Sequence, residues 1–511
     1  MKKGFSIVHS EAAPPAARGD GYHYVTALCE AIECYSSETP ASAFEYRGAT
    51  LRFAVERVLY FAGIDSIALR RLHVRIASGD VPRNCVFDSA IELQLARLLA
   101  HDSMGQRWRV RRRLPRVKSV AARAARIVSR PLAGRGYTGS VERSAADVLV
   151  HAIHPKFVRY LQPLIDHLPL TACYIRTPAV GPTLDLLGLP SAHLAWNEDA
   201  SLKGQARGLA LHRPLVAAYD VYSATLALHQ PRCVILAEGN APDDEIIARA
   251  CHANGIPVIC VQHGWSPIVH AGFRNMSYTE MLVWGDGFAD ALRPHNPALQ
   301  MTSVGNYMLA DRPVVADATV PKGIVFFLQG KSVLIDEHTW AAFLTLIGTT
   351  AGKFPNLAIR VREHAAYPLA IDERRELEHY RNVEIHMAAD LPLRDVLACS
   401  FASVSIFSST ILESIAAGVP PLIANFTSLP SYVPDVATAG AGVEVKTPEA
   451  ASGVLERWIL EPEALSLFQV PMAAFTRRHF ASVDGTALDR SSAAIMRVYG
   501  AAEETQWGGR R

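Results

Sequence analysis

The 511-residue chain has eight cysteines, at positions 29, 34, 85, 173, 233, 251, 260 and 399, but no CxxC pair among them. Cys233 and Cys260 lie inside strand-like apolar runs, so a zinc module and a disulfide framework are both excluded and reduced core thiols are expected. No apolar stretch reaches the roughly 18 residues a spanning helix needs. The opening MKKGFSIVHSEAAPP carries only the short run Phe5 to Val8 before His9 and Glu11, too little for the apolar region of a signal peptide. A cytoplasmic protein is therefore expected, with any membrane contact peripheral. Charge of one sign is also lacking: 51 Lys and Arg against 49 Asp and Glu leave +2, which gives no reason to expect a nucleic-acid partner. HExxH, DxD and Cys/His clusters are absent, and the 19 histidines are spread out, so no metal site and no bound cofactor are expected.

What remains is a globular profile, half hydrophobic and a fifth charged, of a length that predicts several domains. Residues 1–145 show no strand-helix rhythm; apolar residues at helical spacing in 50–64 and 89–100 predict a mainly helical extension. From Asp147 short Val/Ile/Cys runs alternate with amphipathic helices: DVLVHAIHP, LTACYIR, RCVILAEGN, IPVICVQHGW, EMLVWGDG and MTSVGN. Near-continuous apolar strands of this kind belong to parallel sheets covered on both faces. The reading is an α/β Rossmann-like domain over 146–312. A stretch containing Pro and Asp, 310–321, reads as a linker. The rhythm restarts in GIVFFLQG, LAIRVREH, NVEIHM, ASVSIFSS, VPPLIAN and AGVEV, giving a second Rossmann-like domain over 322–460. Residues 461–511 read as C-terminal helices and a tail that pack back on the first domain.

Ligands of open parallel sheets bind beyond the carboxyl ends of the strands, so residues just after each apolar run are the candidates. SVSIFSSTILESIAAG delivers Ser408, Ser409 and Thr410 to the first turn of a helix, with Glu413 one turn further in. Hydroxyls and unpaired N–H groups at a helix start suit phosphate, and the carboxylate suits ribose hydroxyls. A plain helix cap, Ser with Glu at the third position, is the other reading. CVILAEGN and ICVQHGW place Glu238 and His263 at neighbouring strand ends, where a carboxylate and an imidazole can serve as base, acid or nucleophile. The alternative there is a helix-capping Glu238 and a His263 bonded to backbone. Gln262, Gly264 and His154 join them on the acceptor side, with His151 and Lys156 of HAIHPK nearby. In the second repeat, LAIRVREH presents Arg362 and His364, and FFLQGKS presents Gly330 and Lys331, as donor-phosphate candidates; a solvated loop and an ordinary strand-helix turn are the alternatives.

The run S-S-T-x-x-E-x-x-A-x-G-x-P-x-I resembles the nucleotide-binding segment of the GT-B glycosyltransferases and their UDP-N-acetylglucosamine 2-epimerase relatives. That resemblance implies phosphate contacts for Ser408, Ser409 and Thr410 and a ribose contact for Glu413. Retaining members with a two-glutamate signature carry an acid where this chain has Ser405. The strand-acid-helix-strand-QHG unit is similar to the N-terminal domain of bacterial capsule and O-antigen transferases, including Kdo-transferase-like and glycerophosphotransferase-like groups. Enzymes with CMP-activated donors resemble the third segment, although their His-Pro pair is here His364-Ala365. Together the resemblances imply a GT-B architecture of two facing Rossmann-like domains and a metal-independent glycosyltransferase. Its donor would be a CMP- or UDP-linked sugar, and its acceptor a surface polysaccharide or lipid-linked glycan precursor at the inner face of the bacterial inner membrane. A nucleotide-sugar 2-epimerase, a phosphoglycerol transferase using a CDP-alcohol and a non-catalytic binding protein remain as alternatives.

Residues 106–135 hold eleven Arg or Lys and no acid. From Arg109 to Arg130 apolar residues recur every three or four positions, which predicts a basic amphipathic helix able to lie on an anionic membrane surface. A charged face packed on the protein's own domain accounts for the pattern equally well.

Overall fold

The computed structural model describes residues 21–79, 84–87, 90–100, 109–112, 146–194, 212–309, 322–365, 367–388 and 390–508. The expected linker over 310–321, the opening segment and most of the basic stretch lie outside the described residues.

The extension is helical, as expected: α1 (Gly21–Glu38), α2 (Arg52–Ile64), α3 (Ile67–Ala77) and α4 (Ala90–Leu99). Two small pairings accompany them, β1 (Glu45–Tyr46) antiparallel to β2 (Ala49–Thr50), and β3 (Asn84–Phe87) parallel to β4 (Arg109–Arg112). The second pairing corrects the basic-helix expectation where it can be seen. Arg109, Val110 and Arg111 fit the two-residue period of a strand, and β3 supplies an edge for this segment to pair with. Residues 113–135 are outside the described residues.

The first Rossmann-like domain contains β5 (Val148–His151), α5 (Pro155–His167), β6 (Ala172–Arg176), α6 (Gly181–Leu187), β7 (Ser191–His193), α7 (His212–His229), β8 (Cys233–Ala237), α8 (Pro242–Ala253), β9 (Val258–Val261), β10 (Glu280–Val283), α9 (Asp286–Leu292) and β11 (Gln300–Ser303). Its seven strands run β11-β10-β9-β8-β5-β6-β7, every neighbour parallel. Strands β5, β8, β9 and β10 are buried throughout, the outcome their unbroken apolar runs require.

The second domain follows the same logic: β12 (Gly323–Phe327), α10 (Glu337–Lys353), β13 (Ile359–Arg362), α11 (Ile371–Leu377), β14 (Val383–His386), α12 (Leu393–Ala398), β15 (Ser400–Ser405), α13 (Thr410–Ala416), β16 (Pro421–Ala424), β17 (Val443–Val445) and α14 (Pro448–Leu460). Six parallel strands run β14-β13-β12-β15-β16-β17. The chain order reverses beside the first strand of each repeat, at β5/β8 in one sheet and β12/β15 in the other, and open sheets form ligand crevices at such switch points.

Two further helices, α15 (Gln469–His479) and α16 (Ala487–Gly508), return to the first domain. There the Tyr499 hydroxyl donates to Asp147 (3.0 Å), and Arg497 pairs with the buried Glu280 (2.5 Å). One apolar core is continuous from α1, α2 and α4 through the underside of the first sheet to Ile411, Leu412 and Ile415 of α13, and to Met472, Phe475 and Phe480. Among the described residues no helix is long and apolar enough to cross a membrane.

Phe343 is wholly buried in the second domain's core, whereas Ile371 is 73% exposed. Phe343→Ala is expected to destabilise that domain by about 3–5 kcal/mol, and Ile371→Ala by under about 0.5 kcal/mol, in urea titrations followed by circular dichroism.

Candidate functional site

The first domain contributes three neighbouring chain ends. Glu238 directly follows β8, and its N–H still donates to the Val261 carbonyl (2.9 Å), which extends the ladder by one bond. Its backbone then turns left-handed, φ +66°, followed by Gly239 at +68°. A non-glycine residue there costs about 1–2 kcal/mol and is kept only where its surroundings enforce it. The carboxylate receives a hydrogen bond from Asn240 (3.0 Å) and lies 3.5 Å from the Lys156 ammonium. Burial pushes its pKa up, against the lowering effect of Lys156. The helix-capping alternative for Glu238 is not what occurs, because Asp244 accepts the Ala241 N–H at the start of α8 (3.2 Å).

His263 follows β9. Its ring is packed edge-on against Phe157 (5.0 Å between centroids) and Tyr160 (4.6 Å) of α5. Burial, with Lys156 and His154 adding to it, pushes the imidazole down to about 3, so it is neutral at physiological pH. Nδ1 stands 3.9 Å from the Glu238 carboxylate, beyond hydrogen-bond reach. These two groups therefore form no ion pair, and the charge partner of Glu238 is Lys156. Lys156 sits in the first turn of α5, whose N-cap is the His154 side chain accepting the Lys156 N–H (3.1 Å).

Gln262 is buried and fully engaged. Its side chain accepts from the Trp284 N–H (2.8 Å) and donates to the Gly264 carbonyl (3.3 Å), while its own carbonyl receives the Tyr160 hydroxyl (2.6 Å) and the Trp284 indole N–H (3.0 Å). It braces the turn that presents His263. Gly264 has open space around its α-carbon.

The second domain answers with its own strand ends. Arg362, closing β13, donates to the carbonyls of Leu391 (3.1 Å) and Ala388 (3.2 Å). Burial lowers its pKa, and Glu413 opposes that. His364 stacks on Tyr367 (5.2 Å), and its pKa is depressed by burial, by Lys156 across the cleft, and by Arg362. Gly330 takes a left-handed φ of +79° hard against Tyr367, where a Cβ would lie 2.5 Å from the tyrosine Cβ. Lys331 is turned to two carboxylates, Glu337 (2.8 Å) and Glu373 (3.7 Å), and the hydrogen bond to Glu337 raises its pKa.

At the start of α13, Ser408 Oγ accepts the Thr410 N–H (3.2 Å). The reciprocal capping box does not form: Ser409 is the N-cap with no side-chain capping bond, which makes Glu413 the fourth helical residue. The Thr410 hydroxyl oxygen is enclosed and makes no hydrogen bond. Glu413, half-buried, is pushed up to about 7 by burial, with only Arg362 pulling it down. Its field also reaches Tyr432 of its own domain and Tyr160 of the first. Glu238, His263 and Lys156 thus stand on one side of the domain boundary and Arg362, His364 and Glu413 on the other, with Lys156 acting on His364 and Glu413 on Tyr160 across it. A half-buried carboxyl one turn into a helix that begins with hydroxyls can accept from a vicinal diol, and a cation such as Arg362 can neutralise phosphate.

Sequence reading left Lys156 and Tyr160 out of the central set. Both lie on α5 at helical spacing, four residues apart, and their partners, Glu238 for Lys156 and Gln262 and His263 for Tyr160, come from distant strand ends of the same sheet.

The sign of the Glu413 effect is fixed by its raised value. Between about 4.5 and about 7 the folded state holds a proton that the unfolded chain has lost, so this group's contribution to stability falls as pH rises through that window. Glu413→Gln is expected to flatten the decline of melting temperature between about pH 5 and pH 8 relative to the parent chain.

No protein-family model matches the chain, and no curated protein matches it. Solved structures do. A UDP-GlcNAc 2-epimerase from Neisseria meningitidis bound to UDP-GlcNAc is 15% identical, with 68% of this chain and 99% of that one covered and a TM-score of 0.48. Another UDP-N-acetylglucosamine 2-epimerase is 16% identical over 70% and 97%, TM-score 0.49. Acinetobacter baumannii MurG is 14% identical over 68% and 99%, TM-score 0.45. At such identities and scores no residue role passes from these proteins to this chain, and its two-domain Rossmann-like architecture rests on its own strand order.

Proposed function

We propose that the chain is a glycosyltransferase that moves a glycosyl group from a CMP- or UDP-linked donor to a hydroxyl of a surface polysaccharide or lipid-linked glycan precursor. The observation that supports this reading is the placement of Glu238, His263 and Lys156 on one side of the domain boundary and of Arg362, His364 and Glu413 on the other, with Lys156 paired to Glu238 and acting on both His263 and His364. Glu413 would accept the ribose hydroxyls. The hydroxyls of Ser408, Ser409 and Thr410, with Arg362 and His364, would hold the phosphates, and Gly330 would shape the neighbouring turn. Glu238, raised by burial, suits a general base: it takes the proton of the acceptor hydroxyl as that oxygen bonds to the anomeric carbon and the electron pair of the donor's C–O bond leaves with the phosphate. Neutral His263 and His154 flank the acceptor. Cationic side chains stabilise the departing phosphate in place of a metal ion.

A thermal-shift series over CMP-, UDP-, GDP- and CDP-linked donors tests the proposal. A donor at a hundred times its Kd adds about 2.7 kcal/mol of stability, and Glu413→Ala is expected to abolish that gain. No shift with any donor retires the nucleotide reading. Epimer formed from UDP-N-acetylhexosamine alone would favour a 2-epimerase, and phosphorus retained in the product a phosphoglycerol transferase.

The same reading gives the basic stretch 106–135 an anionic lipid surface near the acceptor. Replacing Arg111, Arg112, Arg113 and Arg116 with Ser is expected to weaken binding to vesicles containing phosphatidylserine, each cation contributing about 1 kcal/mol. Unchanged vesicle affinity rejects that assignment.

A further inference from the structure

We infer that Arg57, on the N-terminal extension, is a positioning residue that holds the left-handed turn presenting Glu238. The inference deepens the transferase proposal and rests on its use of Glu238. Arg57 lies on α2, packed on α8, with its side chain wholly buried. Nη1 donates to the carbonyls of Gly239 and Ala241 (3.1 Å each) and to the Tyr278 hydroxyl (3.1 Å), and Nη2 pairs with Glu245 on α8 (3.1 Å). The Tyr278 hydroxyl in turn donates to the Gly239 carbonyl. A single guanidinium thus satisfies the carbonyls on either side of Asn240, whose side chain donates to Glu238.

The turn needs such a clamp. Glu238 at φ +66° is held against its own steric preference, and Gly239 packs so closely that a Cβ there would fall 2.6 Å from Cys260 Sγ and 2.8 Å from the Tyr278 ring. Without Arg57, two buried carbonyls lose a charged donor. The backbone is then free to return towards extended geometry, which carries the carboxylate away from Lys156 and Asn240. Burial alone would lower the Arg57 pKa, but Tyr278, Glu245 and Asp244 outweigh it and keep the guanidinium charged, so the clamp is present at every pH where the protein works.

The test uses the full chain. Removing Arg57 alone would leave the buried Glu245 with only Arg249 beside it, so Arg57→Met is combined with Glu245→Gln to remove both buried charges. Carboxyl labelling with a carbodiimide and glycine ethyl ester, mapped by mass spectrometry over a pH series, reads Glu238 directly. In the folded double variant its labelling rate is expected to rise roughly tenfold, the scale of one lost bond to a charged group in local opening. Its titration midpoint should move down towards the usual carboxylate range, while Glu413 labels at the parent rate. Unchanged rate and midpoint at Glu238 overturn the inference. If the double variant does not fold, Arg57→Lys keeps a positive charge beside Glu245 but cannot reach both the Gly239 and Ala241 carbonyls as the guanidinium does, and the same two outcomes decide.

Turnover separates this inference from the proposal beneath it. With the donor selected by thermal shift, the double variant should lose kcat while keeping the donor KM, whereas a purely structural anchor would lower only the melting temperature. Inactive Glu238→Gln with unaltered labelling in the double variant removes Arg57's role alone. Full activity in Glu238→Gln with accelerated labelling removes the base reading and leaves the clamp.

Discussion

The position of Lys156 ties the two halves of the cleft together. An ammonium in the first turn of a helix opposes the helix dipole, so it gains nothing from α5 itself and depends on what faces it. Among the described residues Glu238 is its direct charge partner. Burial lowers the pKa of His263 within its own domain and of His364 in the other, the same cation adds to both effects, and burial raises the two carboxyls, Glu238 and Glu413. One exposed positive charge thus acts on imidazoles of both domains, beside the larger effect of burial.

The extension is part of this arrangement rather than an appendage to it. Its first helix begins against the second domain, where the Tyr22 N–H donates to Ser428 (2.9 Å), and its second helix sends Arg57 beneath the Glu238 turn. Its apolar residues belong to the same core as the sheet underside and α13. At the cleft itself, the Trp265 indole N–H reaches the Val433 carbonyl. Any opening of the two domains has to accommodate these links, so the cleft geometry and the extension are mechanically coupled.

The strands and helices of both repeats were legible because their burial is symmetrical: a strand covered on two faces must be apolar throughout, and runs such as CVILA and GIVFF carry that requirement openly. The helix His212–His229 shows no single amphipathic stripe because it is buried on more than one side, Leu215, Tyr219, Tyr222 and Leu226 on one face and Ala218, Val221 and Thr225 on the next. At 109–112 a three-to-four residue spacing and a two-residue alternation coexist, and the presence of β3 as a pairing edge selected the strand.

The sequence by itself determined which residues stand at strand ends, because a switch from apolar run to polar turn is a local property. Glu238, His263, Arg362, His364 and the Ser408–Glu413 segment were all identified on that ground. Tertiary structure decided what each can do. Gln262 is locked into the scaffold by Trp284 and Tyr160, Lys331 is drawn to Glu337, and Lys156 comes to the centre. Whether a side chain is buried or paired depends on groups brought to it by the fold, some of them far off in the chain, as Tyr160 is from Gln262, 102 positions apart. No local pattern encodes those distances; the packing of two sheets and the helices between them does.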